Sequence, residues 1–166
     1  MYSTVKEFIE DWKYESEATL KIFKQLTDDS LNKKFNENVR TPGRLAWHII
    51  TTLGEMVQRA GLEFDATPED APLPSAVKEI CDEYKRSSEG MLNAVKKEWS
   101  DESLQEDVNL YGQKWKKGKV LSVLVNHQTH HRGQLTVIMR LAGLKVPGVY
   151  GPAREEWTKM GMEAHE

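Results

Sequence analysis

Residues 120–141 of this 166-residue chain restrict its fold more than any other stretch. In alternating steps of four and three they read Val120, Leu124, His127, His131, Gln134, Ile138, Leu141. An α-helix of 3.6 residues per turn brings such positions onto one face, so this spacing predicts a helix over 119–142 with a core-facing seam. Two imidazoles stand in the middle of the seam. Burying one without a polar partner costs about 1–3 kcal/mol, and side chains at i and i+4 lie about 40° apart around the axis. Both rings therefore reach one ion on the same face. His130 lies about 100° from His131 and off the seam. The rival pairing of His127 with His130, at i and i+3, also permits chelation.

Three further segments show helical periodicity. The first covers 3–26, with Val5, Phe8, Ile9, Trp12, Leu20, Phe23 and Leu26 on its apolar side; Thr4 and Glu7 have the spacing of a capping box. The second starts at Thr41-Pro42, a cap followed by proline at the first helical position, and reaches Gly61. Its inner stripe is Leu45, His48, Ile49, Thr52, Leu53 and Met56. The third covers 75–99. Between the second and third, residues 63–74 with three prolines form a long loop. Residues 100–118 are expected as an extended excursion or a short hairpin, and 145–166 as a wrapping tail with a short helical piece at 154–160. The expected fold is all-α, one four-helix-bundle domain over 1–166 with long connections and a short C-terminal wrapping segment. The long second-to-third and third-to-fourth connections leave room for crossovers, so up-down-up-down order does not follow from the sequence.

Composition narrows the function classes. A net charge of −3 gives no global positive field to recruit nucleic acid or an anionic membrane. The basic run 114–119 reads as a solvated loop before the last helix. Cys81 is the one cysteine, expected as a small apolar helix residue rather than a nucleophile. The N-terminus has no apolar signal-peptide core, and no stretch has the length of a membrane span, so the expected location is the cytoplasm. The five tryptophans are expected in the core or between helices, and His165 in solvent.

His48, on the inner stripe of the second helix, adds a third imidazole to His127 and His131. Three imidazoles with an open position suit a catalytic rather than a structural site, although each histidine taken alone also reads as a hydrogen-bonded core residue. Imidazole ligation suits zinc or nickel, with iron and copper as alternatives. Two neighbours are candidate catalytic residues. Glu55, seven residues after His48 and about 20° around the helix, reads as a base or substrate anchor, or as a surface carboxylate. Gln134 reads as a partner to substrate or as an orienter of a ligand histidine. Arg132 points off the seam, toward an acid on a neighbouring helix or an anionic substrate group.

The run His127-Gln128-Thr129-His130-His131-Arg132-Gly133-Gln134-Leu135, followed by Leu141-Ala142-Gly143, resembles the last-helix signature of the DinB-like family. Thr41-Pro42-Gly43-Arg44-Leu45-Ala46-Trp47-His48-Ile49 resembles that family's second-helix motif. The resemblance implies a four-helix bundle, a metal site at His48, His127 and His131, and a homodimer. It further implies a small-molecule substrate: transfer of a low-molecular-weight bacterial thiol such as bacillithiol, or hydrolysis by metal-activated water. A non-catalytic bundle that binds a metal or small ligand, as a stress-related sensor, is the alternative, because no zincin-type glutamate flanks the histidines.

Overall fold

The helices begin where side chains satisfy their first backbone donors. In the computed structural model, which describes residues 1–164, helix α1 spans Val5–Phe23. The Thr4 hydroxyl accepts the Glu7 N–H at 3.2 Å while the Glu7 carboxylate accepts the Thr4 N–H at 3.1 Å, the expected capping box. A four-residue helix, α2 (Asp28–Leu31), follows. No periodicity announces so short an element. Its Asp28 carboxylate accepts the Val77 N–H at 2.7 Å and so caps a helix far along the chain. Helix α3 (Pro42–Gln58) starts with Thr41 accepting the Arg44 N–H, and α4 spans Val77–Glu98. The expected position of His165 lies outside the described residues.

Residues 100–118 resolve into a hairpin. Strand β1 (Asp107–Leu110) pairs antiparallel with β2 (Gln113–Lys116), and Val108 faces Trp115 in the register. The connecting Tyr111 and Gly112 have φ of 52° and 74°, the double left-handed conformation that a two-residue hairpin turn needs. The basic run is thus not a solvated loop. Lys114 and Lys116 each reach Asp107 at 2.8 Å from β2, and Lys117 reaches Glu106 at 2.7 Å. Helix α5 (Lys117–Leu141) begins directly after β2. A Cβ on Gly118 would lie 2.2 Å from the Tyr2 carbonyl oxygen, so only glycine lets the N-terminal strand of backbone dock there.

Helix α1 packs on α4 and α5, and α3 packs on the same two. Around the bundle the order is therefore α1, α4, α3, α5. The 63–74 loop joins neighbours and does not use the room for a crossover that its length leaves. The diagonal connections are α1 to α3, through α2, and α4 to α5, through the hairpin. Phe8, Trp12, Ile22, Phe23, Leu45, Ile50, Leu53, Ile80, Tyr84 and Leu124 fill the core. Trp12, Trp47 and Trp99 are buried as expected, and Cys81 is half-buried against the core. No described helix is long and apolar enough to cross a membrane.

The tail wraps back along α1. The Lys21 ammonium donates to the Gly148 carbonyl at 2.7 Å, and the Tyr14 hydroxyl donates to the Val149 carbonyl. A short helix, α6 (Arg154–Trp157), brings Glu155 to Arg140 of α5. Beneath the tail, Arg132 forms an ion pair with Glu15, their side chains only 3% and 11% exposed. Arg132 also donates to the Glu15 carbonyl at 2.8 Å and to Thr19 Oγ1 at 3.0 Å, and the Tyr150 hydroxyl donates to the Glu15 carboxylate at 2.6 Å. Of the two sequence options for Arg132, the acid on a neighbouring helix is the one realised. Removing one partner of a buried pair strands the other charge. Glu15→Ala is accordingly expected to lower unfolding stability by about 3 kcal/mol. The Glu15→Ala/Arg132→Met double variant should recover most of that loss, read from urea unfolding midpoints.

Candidate metal centre

The core-facing line of α5 is rotated from the expected seam. Leu121, Leu124, Gln128, His131, Leu135 and Ile138 are buried, whereas Gln134 and Leu141 are exposed and His127 is half-buried. Two polar residues cause the shift. Gln128 is fully buried because its amide donates to the Ile49 carbonyl at 2.9 Å and accepts from the Tyr84 hydroxyl at 3.2 Å. Arg132 is buried by its pairing with Glu15. The histidines therefore stand at the margin of the core, along the contact of α3 with α5, rather than at its centre.

At that margin three ring nitrogens converge. His131 Nε2 lies 3.1 Å from His48 Nε2 and 3.1 Å from His127 Nε2, and ligand atoms from all three fall within 4.8 Å of one another. His131 Nδ1–H donates to Gln134 Oε1 at 2.8 Å, which leaves the Nε2 of that ring as a lone pair. The Gln134 amide then donates to His130 Nε2 at 3.0 Å, so His130 is exposed and attached to the cluster from outside. His127 Nδ1 is buried without a hydrogen-bond partner among the described residues, so that ring makes its polar contact only at Nε2. Imidazoles bound tetrahedrally at about 2.0–2.1 Å place their nitrogens roughly 3.3 Å apart, close to the separations found here. The donor set and its spacing are compatible with a metal site, without identifying the metal.

Burial depresses the basicity of all three rings. His48 is lowered to about 4, by desolvation first and then by the charge of Arg40 and by the other two imidazoles. His127 is lowered to about 4, again chiefly by desolvation. His131 is lowered too, although its bond to Gln134 opposes the shift. Neutral rings with free lone pairs are the form that ligates.

A cavity of about 190 Å³ opens in front of His48, walled by Arg40, Arg44, Trp47, Thr51, Thr52 and Glu55 along with Glu69. A second cleft, about 440 Å³, opens beside His131 and Gln134 and is lined by Val39, Leu45, Val137 and Ile138. Arg40 stands in the wall of both. Glu55 thus shares the cavity of His48, yet its carboxylate is held by Arg59 at 3.0 Å and accepts the Tyr111 hydroxyl at 2.8 Å. Desolvation and this carboxylate push the Tyr111 phenol up to about 12, so it stays a donor. Arg40, Arg44, Tyr111 and Arg59 were not marked by sequence periodicity. Arg40 and Tyr111 lie outside the helices, and no motif or spacing singles out Arg44 or Arg59 as a wall residue. Burial raises the Cys81 thiol, the opposite of what a nucleophile needs.

Unfolded imidazole titrates near 6.5. Because the folded values of His48 and His127 are lower, the unfolded chain binds more protons between about pH 4 and 6.5. Stability of metal-free protein should therefore fall as pH drops through that window. His127→Gln should show a shallower fall than wild type in urea unfolding at pH 7 and pH 5, since the carboxylate contribution is common to both. Equal falls would count against the buried, neutral state of this ring.

Comparison with known proteins agrees with this fold. The chain is 44% identical over 164 residues to the uncharacterized protein YrdA of Bacillus subtilis (strain 168), covering 99% of this chain and 98% of that one. A crystal structure of a DinB-like protein from Bacillus cereus ATCC 10987 superposes with a TM-score of 0.86 at 41% identity, covering 90% of this chain and 100% of the other. A second crystal structure, of the DinB-like protein YjoA from Bacillus subtilis, gives 0.66 at 19% identity over 82% of this chain and 92% of that one, a likeness of fold alone. The sequence profile of the DinB family matches residues 1–165, and the chain belongs to that family.

Proposed function

We propose that this protein is a metal-dependent enzyme acting on a small molecule, with His48, His127 and His131 as the ligands of one divalent transition ion, zinc or nickel. The observation that carries the reading is the convergence of three Nε2 atoms beside an open cavity. An ion held by three imidazoles supplies Lewis acidity and brings the pKa of a water or thiol near neutrality. The chain's own residues prepare for this. Gln134 fixes the His131 ring and its Nδ1 proton, so the lone pair points into the cluster. Trp47 donates its indole N–H to the Ala71 carbonyl at 2.8 Å, holding the 63–74 loop as a wall that limits water. In this reading Glu55, which lines the same cavity, serves as base or substrate anchor after release from the Arg59 and Tyr111 contacts that hold it. Thiol transfer and hydrolysis are the two reactions this arrangement serves, and family membership favours a homodimer as the working form.

A non-catalytic metal-binding module is the second reading. It is favoured by one observation: both carboxylates of the cavity, Glu55 and Glu69, are already paired with Arg59. Turnover in thiol-conjugation or hydrolase panels by the loaded, untagged protein would decide against it.

Equilibrium dialysis of untagged protein against zinc or nickel should give about one ion per chain. His48→Ala, His127→Ala and His131→Ala should each weaken binding about tenfold or more, equivalent to about 1.4 kcal/mol. Gln134→Ala should cost roughly tenfold through the His131 ring, and His130→Ala only a few fold. Loss of binding in His130→Ala with retention in His131→Ala would refute the ligand set.

A further inference from the structure

Arg59, Arg86, Arg132 and Arg140 each hold a carboxylate. Among the described residues Arg40 and Arg44 hold none, although both line the cavity in front of His48. They flank the start of α3, one before the Thr41 cap and one in the first turn, so both exposed residues line the same cavity wall from neighbouring backbone. The acids of that cavity do not answer them. Glu55 and Glu69 lie on Arg59, and Glu55 also receives the Tyr111 hydroxyl. The cavity is thus divided into an acidic end that is internally neutralised and a cationic end that is not. Arg40 lines both the cavity of His48 and the cleft of His131, which places it close to where a substrate's reactive end would meet the imidazoles. Beyond Arg40 the second cleft offers apolar wall, with Leu45, Val137 and Ile138, for a short carbon skeleton.

We propose that the site takes a small molecule bearing an oxyanion, a carboxylate or a phosphate, held by Arg40 and Arg44 with its reactive end turned to the three histidines. The proposal rests on the reading of this cavity as the substrate site. Two guanidinium forks match the paired oxygens of either group, and both groups keep their charge at neutral pH. An uncharged isostere of the same shape forfeits those bonds and leaves the arginines as they were. The role of the arginines is to bind and orient; no bond is made or broken at them.

The test uses the whole chain, metal-free and with one equivalent of zinc, and follows the Trp47 indole N–H in 15N-correlated NMR spectra. Succinate and inorganic phosphate are the two oxyanion probes, and succinamide is the uncharged isostere of the first. At least one oxyanion should shift the Trp47 signal with an affinity about tenfold or more above succinamide, and the tighter of the two names the class. Arg40→Gln/Arg44→Gln should weaken that oxyanion by about tenfold or more and leave succinamide unchanged. If neither oxyanion exceeds succinamide, or if the double variant keeps the wild-type affinity, the proposal is wrong. Zinc binding is recorded on the same samples, so a wild type that binds the oxyanion but no zinc would overturn the metal reading and leave this one standing.

Discussion

The contact between α3 and α5 is where the site is made, because it sets His48 of one helix against His127 and His131 of another. Gln128 holds that contact in register. Its amide bonds the Ile49 carbonyl on α3 and receives the Tyr84 hydroxyl from α4, so one buried side chain ties three helices at a single level of the bundle. A buried amide left unpaired costs more than a made hydrogen bond gains, which penalises any sliding of α5 along α3. His131 sits one turn further along the same buried line and His48 immediately before Ile49, so the register that satisfies Gln128 also brings their Nε2 atoms to 3.1 Å. On the opposite side of α5, Arg132 and Glu15 fix the helix against α1. Between these two polar anchors the rotation of α5 has little freedom, and the imidazoles are left facing the open margin.

How much of this the sequence discloses depends on the range of the interaction. Local signals read cleanly: the Thr4–Glu7 capping box, the Thr41-Pro42 start and the helical piece near 154 are all set by neighbours within a few residues. The turn at Tyr111–Gly112 is partly legible, since glycine marks it but a tyrosine in the left-handed region does not. The three histidines are legible because polar rings interrupt otherwise apolar periodicity. The rotation of α5 is not. Gln128 and Arg132 are polar by type, and only partners on other helices, Ile49, Tyr84 and Glu15, make them interior residues. The placement of Leu141 on the seam fails for the same reason. The cavity wall was also hidden: Arg40 precedes the helix, Glu69 belongs to a loop, and their meeting depends on how the connections run.

Charge is distributed with the same economy. Lys114 and Lys116 of the hairpin and Lys117 and Arg140 of α5 are matched to Asp107, Glu106 and Glu155, and such surface pairs contribute little to stability. Arg40 and Arg44 have no such match among the described residues and stand beside the cluster of desolvated imidazoles. A protein of net charge −3 thereby keeps a local positive field at its cavity while remaining acidic as a whole.

The diagonal connection from α4 to α5 has a consequence for biosynthesis. His48 on α3 is separated in sequence from His127 and His131 by the whole of α4 and the hairpin, so α5 is made well after α3. While residues 119–142 are still inside the ribosomal tunnel, the emerging polypeptide displays a solitary imidazole and an uncovered stripe on α3. The three-nitrogen cluster comes into being only after α5 has left the tunnel, so any ion it takes must be acquired after His127 and His131 have emerged, long after His48.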